Sequence, residues 1–288
     1  MKVSKVYKKG LKDINEDAFV INQEDLIYAA IDGATGLNGA PGHIASQIIQ
    51  EKLYLPMKDS SLYNRVDFAN KRLEEEMIEF YRKNFEKLSI PGIKGIPKMQ
   101  RSSSGMSAIQ IDEAKLFFEY IHAGDCMLFL QYENSDIRTI TYDLIQYLDQ
   151  EAINEMVRLR EQDGNYNLGA EELREKVKHI LVENRGKLNT NKGYGIIDGS
   201  EEALFHLESG RVALKRVKKI LLLSDGLLLP TKHGEEDNAW DVSARIAFNQ
   251  GLNGLLEEVE KREAEDPDCQ IYPRLKEKDD KTGVLLEL

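Results

Sequence analysis

Hydrophobic runs that stop at an aspartate, or start just after one, recur four times along the chain. Leu26–Ile31 runs into Asp32-Gly33, Phe117–Ala123 into Gly124-Asp125 and Ile220–Ser224 into Asp225-Gly226, while Asp279–Thr282 opens Gly283–Leu288. Their length and apolar content are those of buried strands. Elsewhere the period changes. Ile44, Ile48 and Ile49 share one face of a helix predicted over His43–Leu53, and Val66, Leu73, Met77, Tyr81, Phe85 and Leu88 form one stripe of a second over Val66–Leu88. That stripe reads as core, not as a cofactor box. Further helices are predicted over Gln150–Gln162, Ala170–Asn184 and Val242–Glu263. The remaining strands are predicted at Val3–Lys8, Ala18–Asn22, Ser104–Ile111, Leu116–His122, Met127–Glu133, Ala203–Leu207 and Val212–Lys215, with Ser104–Glu133 read as successive antiparallel strands and Ser89–Pro97 as a loop. Two helices, a run of strands, two helices, more strands and a helix make an antiparallel order, not alternating βαβ, so the expected class is α+β. No repeat, low-complexity tract or linker interrupts the chain, which reads as one domain over residues 1–288.

Strands held in a core fix their ends, so four strand-end carboxylates can be gathered around one point. A lone Asp-Gly is first of all a turn signal. The set is more telling, because a carboxylate at the end of a buried strand costs desolvation energy unless a cation compensates it. No basic residue directly flanks Asp32, Asp125 or Asp225, which makes a metal ion the economical partner. Mg²⁺ and Mn²⁺ suit an all-oxygen site.

Composition narrows the classes. With 288 residues, 41% hydrophobic and 31% charged, the chain can bury a sizeable core. Its net charge of −11 argues against nucleic acid, whose binding rests on Lys and Arg contacts to phosphate. The N-terminus lacks the apolar region of a signal peptide, and no run approaches the roughly 18 apolar residues of a membrane span, so a cytoplasmic protein with no membrane partner is expected. The two cysteines, Cys126 and Cys269, are too few for a disulfide framework. None of the five histidines has zinc-ligand spacing, and His122 reads as a structural strand histidine. Gly33-Ala34-Thr35-Gly36 lacks the Gly-Lys-Ser/Thr of a phosphate-binding P-loop, and Ser103-Ser104 fits no nucleophile elbow.

The succession Asn15-Glu16-Asp17, Asp32-Gly33-Ala34-Thr35-Gly36, Ser103-Ser104-Gly105-Met106-Ser107-Ala108, His122-Ala123-Gly124-Asp125, Ser224-Asp225-Gly226 and Asp279-Asp280-Lys281-Thr282 resembles the metal-dependent serine/threonine protein phosphatases of type 2C, over nearly the whole chain. The segment Glu183–Gly195 is similar to the variant found in a bacterial branch of that family. The resemblance implies a four-layer α/β/β/α sandwich of two antiparallel sheets flanked by helices. It also implies two ions, Mn²⁺ or Mg²⁺: Asp32 bridging both, Asp225 and Asp279 serving the first, Glu16 and the Gly33 carbonyl the second. Asp125 with Asp225 would hold a third, weaker ion. Asp280 stands where the family usually has Asn, so either of the adjacent pair could ligate; the alignment of Lys281-Thr282 favours Asp279. Lys12 stands where an Arg often grips the phosphate, supplying a point charge in place of a bidentate fork.

The implied activity is hydrolysis of phosphoserine or phosphothreonine in proteins, by a hydroxide bridging two divalent cations that also draw charge from the phosphoryl oxygens. Asp32 and Lys12 are then the catalytic candidates. Ala34 and Thr35 follow the first Asp-Gly, where some members carry a proton-donating histidine. The partners implied are a phosphorylated protein and a cognate Ser/Thr kinase. Two alternatives stand beside this: a pseudophosphatase serving as a binding or regulatory module, which retention of the carboxylates argues against, and a hydrolase of small phosphorylated metabolites. The loop Asn189–Glu202 is where substrate choice would lie.

Overall fold

In the computed structural model, which describes residues 1–56, 60–84, 91–112, 114–162, 168–235 and 238–288, strands β1 (Lys2–Lys8), β2 (Ala18–Asn22), β3 (Ile27–Ala34), β4 (Ser103–Ile111), β5 (Phe117–Ala123), β6 (Met127–Tyr132), β7 (Ile137–Thr139), β8 (Glu208–Ala213), β9 (Val217–Leu223) and β10 (Lys281–Glu287) form two sheets. Their orders are β2-β3-β4-β5-β8 and β1-β10-β9-β6-β7, and every pairing is antiparallel.

The sheets pack face to face. Because side chains alternate along a strand, Tyr28, Ala30, Ile109 and Phe118 of one sheet meet Leu128, Leu130, Ile220, Leu222, Val284 and Leu286 of the other. The opposite faces are also covered. Ala29, Ile31, Met106 and Ala108 lie under α1 (Gly42–Tyr54) and α2 (Leu62–Asn84), while Phe129, Leu221, Leu223 and Leu285 lie under α7 (Ala239–Glu265) with Trp240. Burial on both faces is why these strands read as unbroken apolar runs. The result is the expected four-layer α/β/β/α sandwich. Helices α3 (Gln146–Gln162), α4 (Ala170–Lys176) and α5 (Lys178–Gly186) stand apart from these layers around two small clusters of their own, one with Leu148, Leu188, Tyr194 and Ile196, the other with Met156, Leu173 and Val177.

Several expectations are corrected. Residues Ser104–Glu133 do not stay in one sheet: β4 and β5 pair, but β6 crosses to the other sheet. Gly124, at φ 76°, makes that crossing in a left-handed conformation that favours glycine. Ala203–Leu207 is not a strand: Ala203–Phe205 close a short helix, α6 (Glu201–Phe205), with Glu201 and Glu202 in its first turn where the dipole favours acids; five apolar-leaning residues are too few to separate the two periods. Ala170–Asn184 breaks at Val177 into α4 and α5, and α7 is kinked at Gly251, φ 79°. The short edge strand β7 was not anticipated. Phe85 and Leu88 of the predicted second helix, and Ser89 and Ile90 of the loop after it, lie outside the described residues.

Register gathers the strand ends. Asp32 pairs with Gly105, Met106 with Ala123, Leu223 with both Met127 and Gly283, so the C-terminal ends of β3, β5 and β9 and the N-terminal end of β10 fall at one edge of the sandwich.

Candidate metal centre

At that edge Asp32, Asp125 and Asp225 each offer a carboxylate oxygen, all within 4.8 Å of one another. Asp125 is buried, and its Oδ1, like Oδ1 of Asp225 and of Asp17, has no hydrogen-bond partner among the described residues. Such orphaned oxygens in an apolar setting are costly. Their electrostatics show the strain: burial first, and then the neighbouring carboxylates Asp32 and Asp225, push the pKa values of Asp17 and Asp125 well above the ordinary range, and burial with Asp32 and Asp279 does the same to Asp225. Asp32 is raised as well, chiefly by burial. An all-oxygen set of converging, unpartnered carboxylates fits a hard divalent cation.

Asp17 belongs to this cluster. It is 1% exposed, accepts from Ser224 Oγ at 2.8 Å and feels the charge of Asp32. It stands in the Asn15-Glu16-Asp17 motif, from which only Glu16 was singled out as a ligand. Glu16 itself lies outside the triad with its oxygens committed: Oε2 to Lys12 Nζ, Oε1 to Thr35 Oγ1 and to the Gly42 N–H at 2.9 Å. Burial opposes its charge, but Lys12 and Thr35 outweigh it and hold the carboxyl below its ordinary value. Lys12, half exposed, is thus tied to the rim by Glu16. Gly33 has no room for a side chain: a Cβ there would lie 2.2 Å from the Glu16 carbonyl oxygen and 2.7 Å from that of Gly42.

The two adjacent aspartates divide. Asp280 is buried and spends both oxygens on backbone, accepting from Gly10 N–H at 2.7 Å and Glu16 N–H at 2.8 Å. Asp279 is paired with Lys276 and acts electrostatically on Asp32 and Asp225. Burial would raise its carboxyl, yet Lys276 holds it low.

Lys276 is the cation that no sequence neighbour of Asp32, Asp125 or Asp225 suggested. Spacing relates it only to Asp279, three residues on. Two other side chains were missed. Arg185 of α5 donates from Nη2 to the carbonyls of Ala34 and Thr35 and to Ser103 Oγ, all at 3.2 Å, bracing the turn after Asp32; about 150 residues separate them, and no local signal links them. Asp149 lines the cleft that contains Asp125, Asp225 and Asp279, and burial followed by the field of Asp143 pushes its carboxyl up to about 7. Cys126 is buried with its thiol pushed well up, first by burial and then by Asp125, so it packs as a small hydrophobe. His122 is buried beside Glu208, Nδ1 to Oε2 3.4 Å. The loop Asn189–Glu202 is anchored: Ile197 bridges Ser104, and Asp198 pairs with Arg101 at 2.8 Å.

No protein-family model and no curated protein matches the sequence. Solved structures do match the fold. The serine/threonine phosphatase PstP/Ppp of Mycobacterium tuberculosis superposes with a TM-score of 0.55 at 16% identity, over 100% of this chain and 98% of that one. The chain shares the fold of that structure. Stp1 of Staphylococcus aureus shares it at TM-score 0.52 and 16% identity, covering 100% and 94% of the two chains. So does the catalytic domain of PstP in complex with 2 manganese ions, at TM-score 0.54 and 16% identity, covering 99% and 97%. Within this shared fold the carboxylate centre sits where the strand ends of both sheets meet. Among the described residues no helix is long and apolar enough to cross a membrane.

Proposed function

We propose that the chain, as a single domain over residues 1–288, is a metal-dependent phosphatase acting on phosphoserine or phosphothreonine in proteins. The observation that carries this is the triad Asp32, Asp125 and Asp225, with one oxygen of each within 4.8 Å of the others and Oδ1 of Asp125 and of Asp225 without a hydrogen-bond partner among the described residues, at the strand ends of a fold shared with serine/threonine phosphatases. Asp32, Asp225, Asp279 and the Gly33 carbonyl would hold two divalent cations, and Asp125 with Asp225 a third. Glu16 would serve the second ion by giving up one of its present contacts. Bound there, Mn²⁺ or Mg²⁺ would supply an acidified water and neutralise charge on the phosphoryl oxygens.

The protein's own groups do the rest. Lys12, fixed by Glu16 at the rim, offers its ammonium to a phosphate oxygen; a charge-assisted contact of this kind contributes about 1.5–3 kcal/mol. Ser104 donates to the Asp32 carbonyl at 2.7 Å and Arg185 braces Ala34 and Thr35, so the Asp32 turn is held before a ligand arrives. Asp149 can carry a proton on its carboxyl near neutral pH in the adjoining cleft. Phosphoproteins and their cognate kinase are the partners this reading assigns, in the cytoplasm.

The test is phosphate release by purified protein with Mn²⁺ or Mg²⁺, on phosphopeptides beside free phosphorylated metabolites, with and without chelator. Chelator-sensitive release from the peptides is expected. Stabilisation by Mn²⁺ with no hydrolysis of any phosphoester would overturn the enzyme in favour of a binding module, and preference for the metabolites would move the substrate class.

A further inference from the structure

The segment between α7 and β10 delivers a lysine into the acidic centre. Its path is pinned on both sides. Asp266 accepts from the N–H groups of Gln270 and Tyr272 at 2.8 and 2.7 Å and from Arg274 Nη1 at 3.2 Å, and Arg160 of α3 donates to the carbonyls of Cys269 and Asp268 at 2.8 and 2.7 Å. The backbone at Lys276 is therefore fixed, while its side chain, 37% exposed, retains a way out to solvent.

The ammonium lies on Asp279 Oδ2. The other oxygen of that carboxylate, Oδ1, accepts the Asp280 N–H at 3.0 Å, and Lys281 Nζ occupies the Asp279 carbonyl at 2.9 Å. Oδ2 is thus the oxygen that a cation would use, and it is covered. Lys276 also lines both clefts that meet at Asp279, one containing Asp125 and Asp225, the other Lys12.

We infer that Lys276 is a tethered competitor of the divalent cation: it neutralises Asp279 in the metal-free protein, and an ion must displace it to use that carboxylate. This rests on the reading of Asp279 as a ligand. The tether sets a threshold. A lysine that occupies Asp279 for about nine-tenths of the time lowers the apparent affinity of that position about tenfold, since only the remaining fraction is competent to bind. In exchange, the empty centre keeps one of its carboxylates paired.

Calorimetric titration with Mn²⁺ tests this on wild type, Lys276→Met, Lys276→Arg, Asp279→Asn and the Asp279→Asn/Lys276→Met double variant, beside the melting of each metal-free protein. Lys276→Met should bind Mn²⁺ about tenfold tighter and melt lower without metal, and Lys276→Arg should behave as wild type. With Asp279→Asn in place, adding Lys276→Met should change the affinity by less than about threefold, because the contact it removes is already gone. Equal tightening in both backgrounds would overturn the inference, reducing Lys276 to a distant charge. Unchanged affinity of Lys276→Met, where wild type binds Mn²⁺, would overturn it while leaving the metal centre intact. Absence of Mn²⁺ binding to every variant would overturn both.

Discussion

Around Arg101 and Asp198 each guanidinium nitrogen and each carboxylate oxygen has a partner, whereas around Asp32, Asp125 and Asp225 several oxygens have none among the described residues. Both groups are buried or nearly so. Arg101 donates from Nε to the Ile96 carbonyl at 3.0 Å, from Nη1 to Asp198 Oδ2 at 2.8 Å and from Nη2 to the Ile93 carbonyl at 3.0 Å. Asp198 Oδ1 takes Asn189 Nδ2 at 2.9 Å and the Ser200 N–H and hydroxyl. This cluster is closed, and its work is to hold the 189–200 segment against the start of β4. The aspartate centre is open: like charges converge, desolvated, with Lys276 the cation set among them. A closed cluster stabilises the fold; an open one stores repulsion that a ligand relieves.

The sharpest way to break the contrast is at the two aspartates Asp32 and Asp198. Asp32→Asn should lower turnover by about three orders of magnitude or more, the loss of several kcal/mol of charge stabilisation, while the metal-free fold is retained or stabilised because one of the repelling charges is gone. Steady-state kinetics with denaturant unfolding of the metal-free protein reads both. Near wild-type turnover would sink the two-ion reading. Asp198→Ala should do the reverse at first instance, costing about 3–5 kcal/mol of unfolding free energy because Arg101 is left buried without its counter-charge. If urea unfolding shows less than about 1 kcal/mol, the closed cluster is not the anchor described.

Lys12 lies between the two extremes, half exposed and paired with one carboxylate. Lys12→Ala should raise KM for a phosphopeptide by the equivalent of about 1.5–3 kcal/mol, and Lys12→Arg should remain active. Unaltered phosphopeptide kinetics would make Lys12 only one of a basic N-terminal group with Lys8 and Lys9.

The smallest effect concerns pH. Asp17, Asp32, Asp125 and Asp225 have raised pKa values in the folded protein, so the fold binds protons that the unfolded chain has released, and metal-free stability falls as pH rises from about 4 through the raised values. Glu16 and Asp279 are lowered; their contribution is complete above about 4 and is lost only below it, so it does not change within this window. The metal-free melting temperature should therefore be a few degrees higher near pH 5.5 than near pH 8, and saturating Mn²⁺ should reverse that order. A metal-free melting temperature that climbs over the same interval would contradict the open centre.

Which parts were legible follows from the range of the signal. Asp32, Asp125, Asp225 and Asp279 could be picked out because each terminates or opens an apolar run, a pattern confined to a few neighbouring residues. Period also served where an element was long, as for the helix carrying Val66, Leu73, Met77 and Tyr81. It failed at Ala203–Leu207, where five residues cannot separate a helix from a strand, and at β6, whose change of sheet turns on the backbone angle of Gly124. Asp17 was within reach, standing next to Glu16 in the same motif.

The sequence by itself determined the α+β class, the carboxylate inventory and the all-oxygen character of the centre, because residue type and apolar periodicity are local properties of the chain. Only the tertiary structure decided which acids are open and which are spent. Asp280 is consumed by Gly10 and Glu16, some 270 and 264 residues away, Arg185 reaches back to Ala34, and Lys276 comes to rest among carboxylates that none of its neighbours in the chain would place there. Such pairings depend on how the two sheets stack and where pinned loops end, and no short stretch of sequence carries that information.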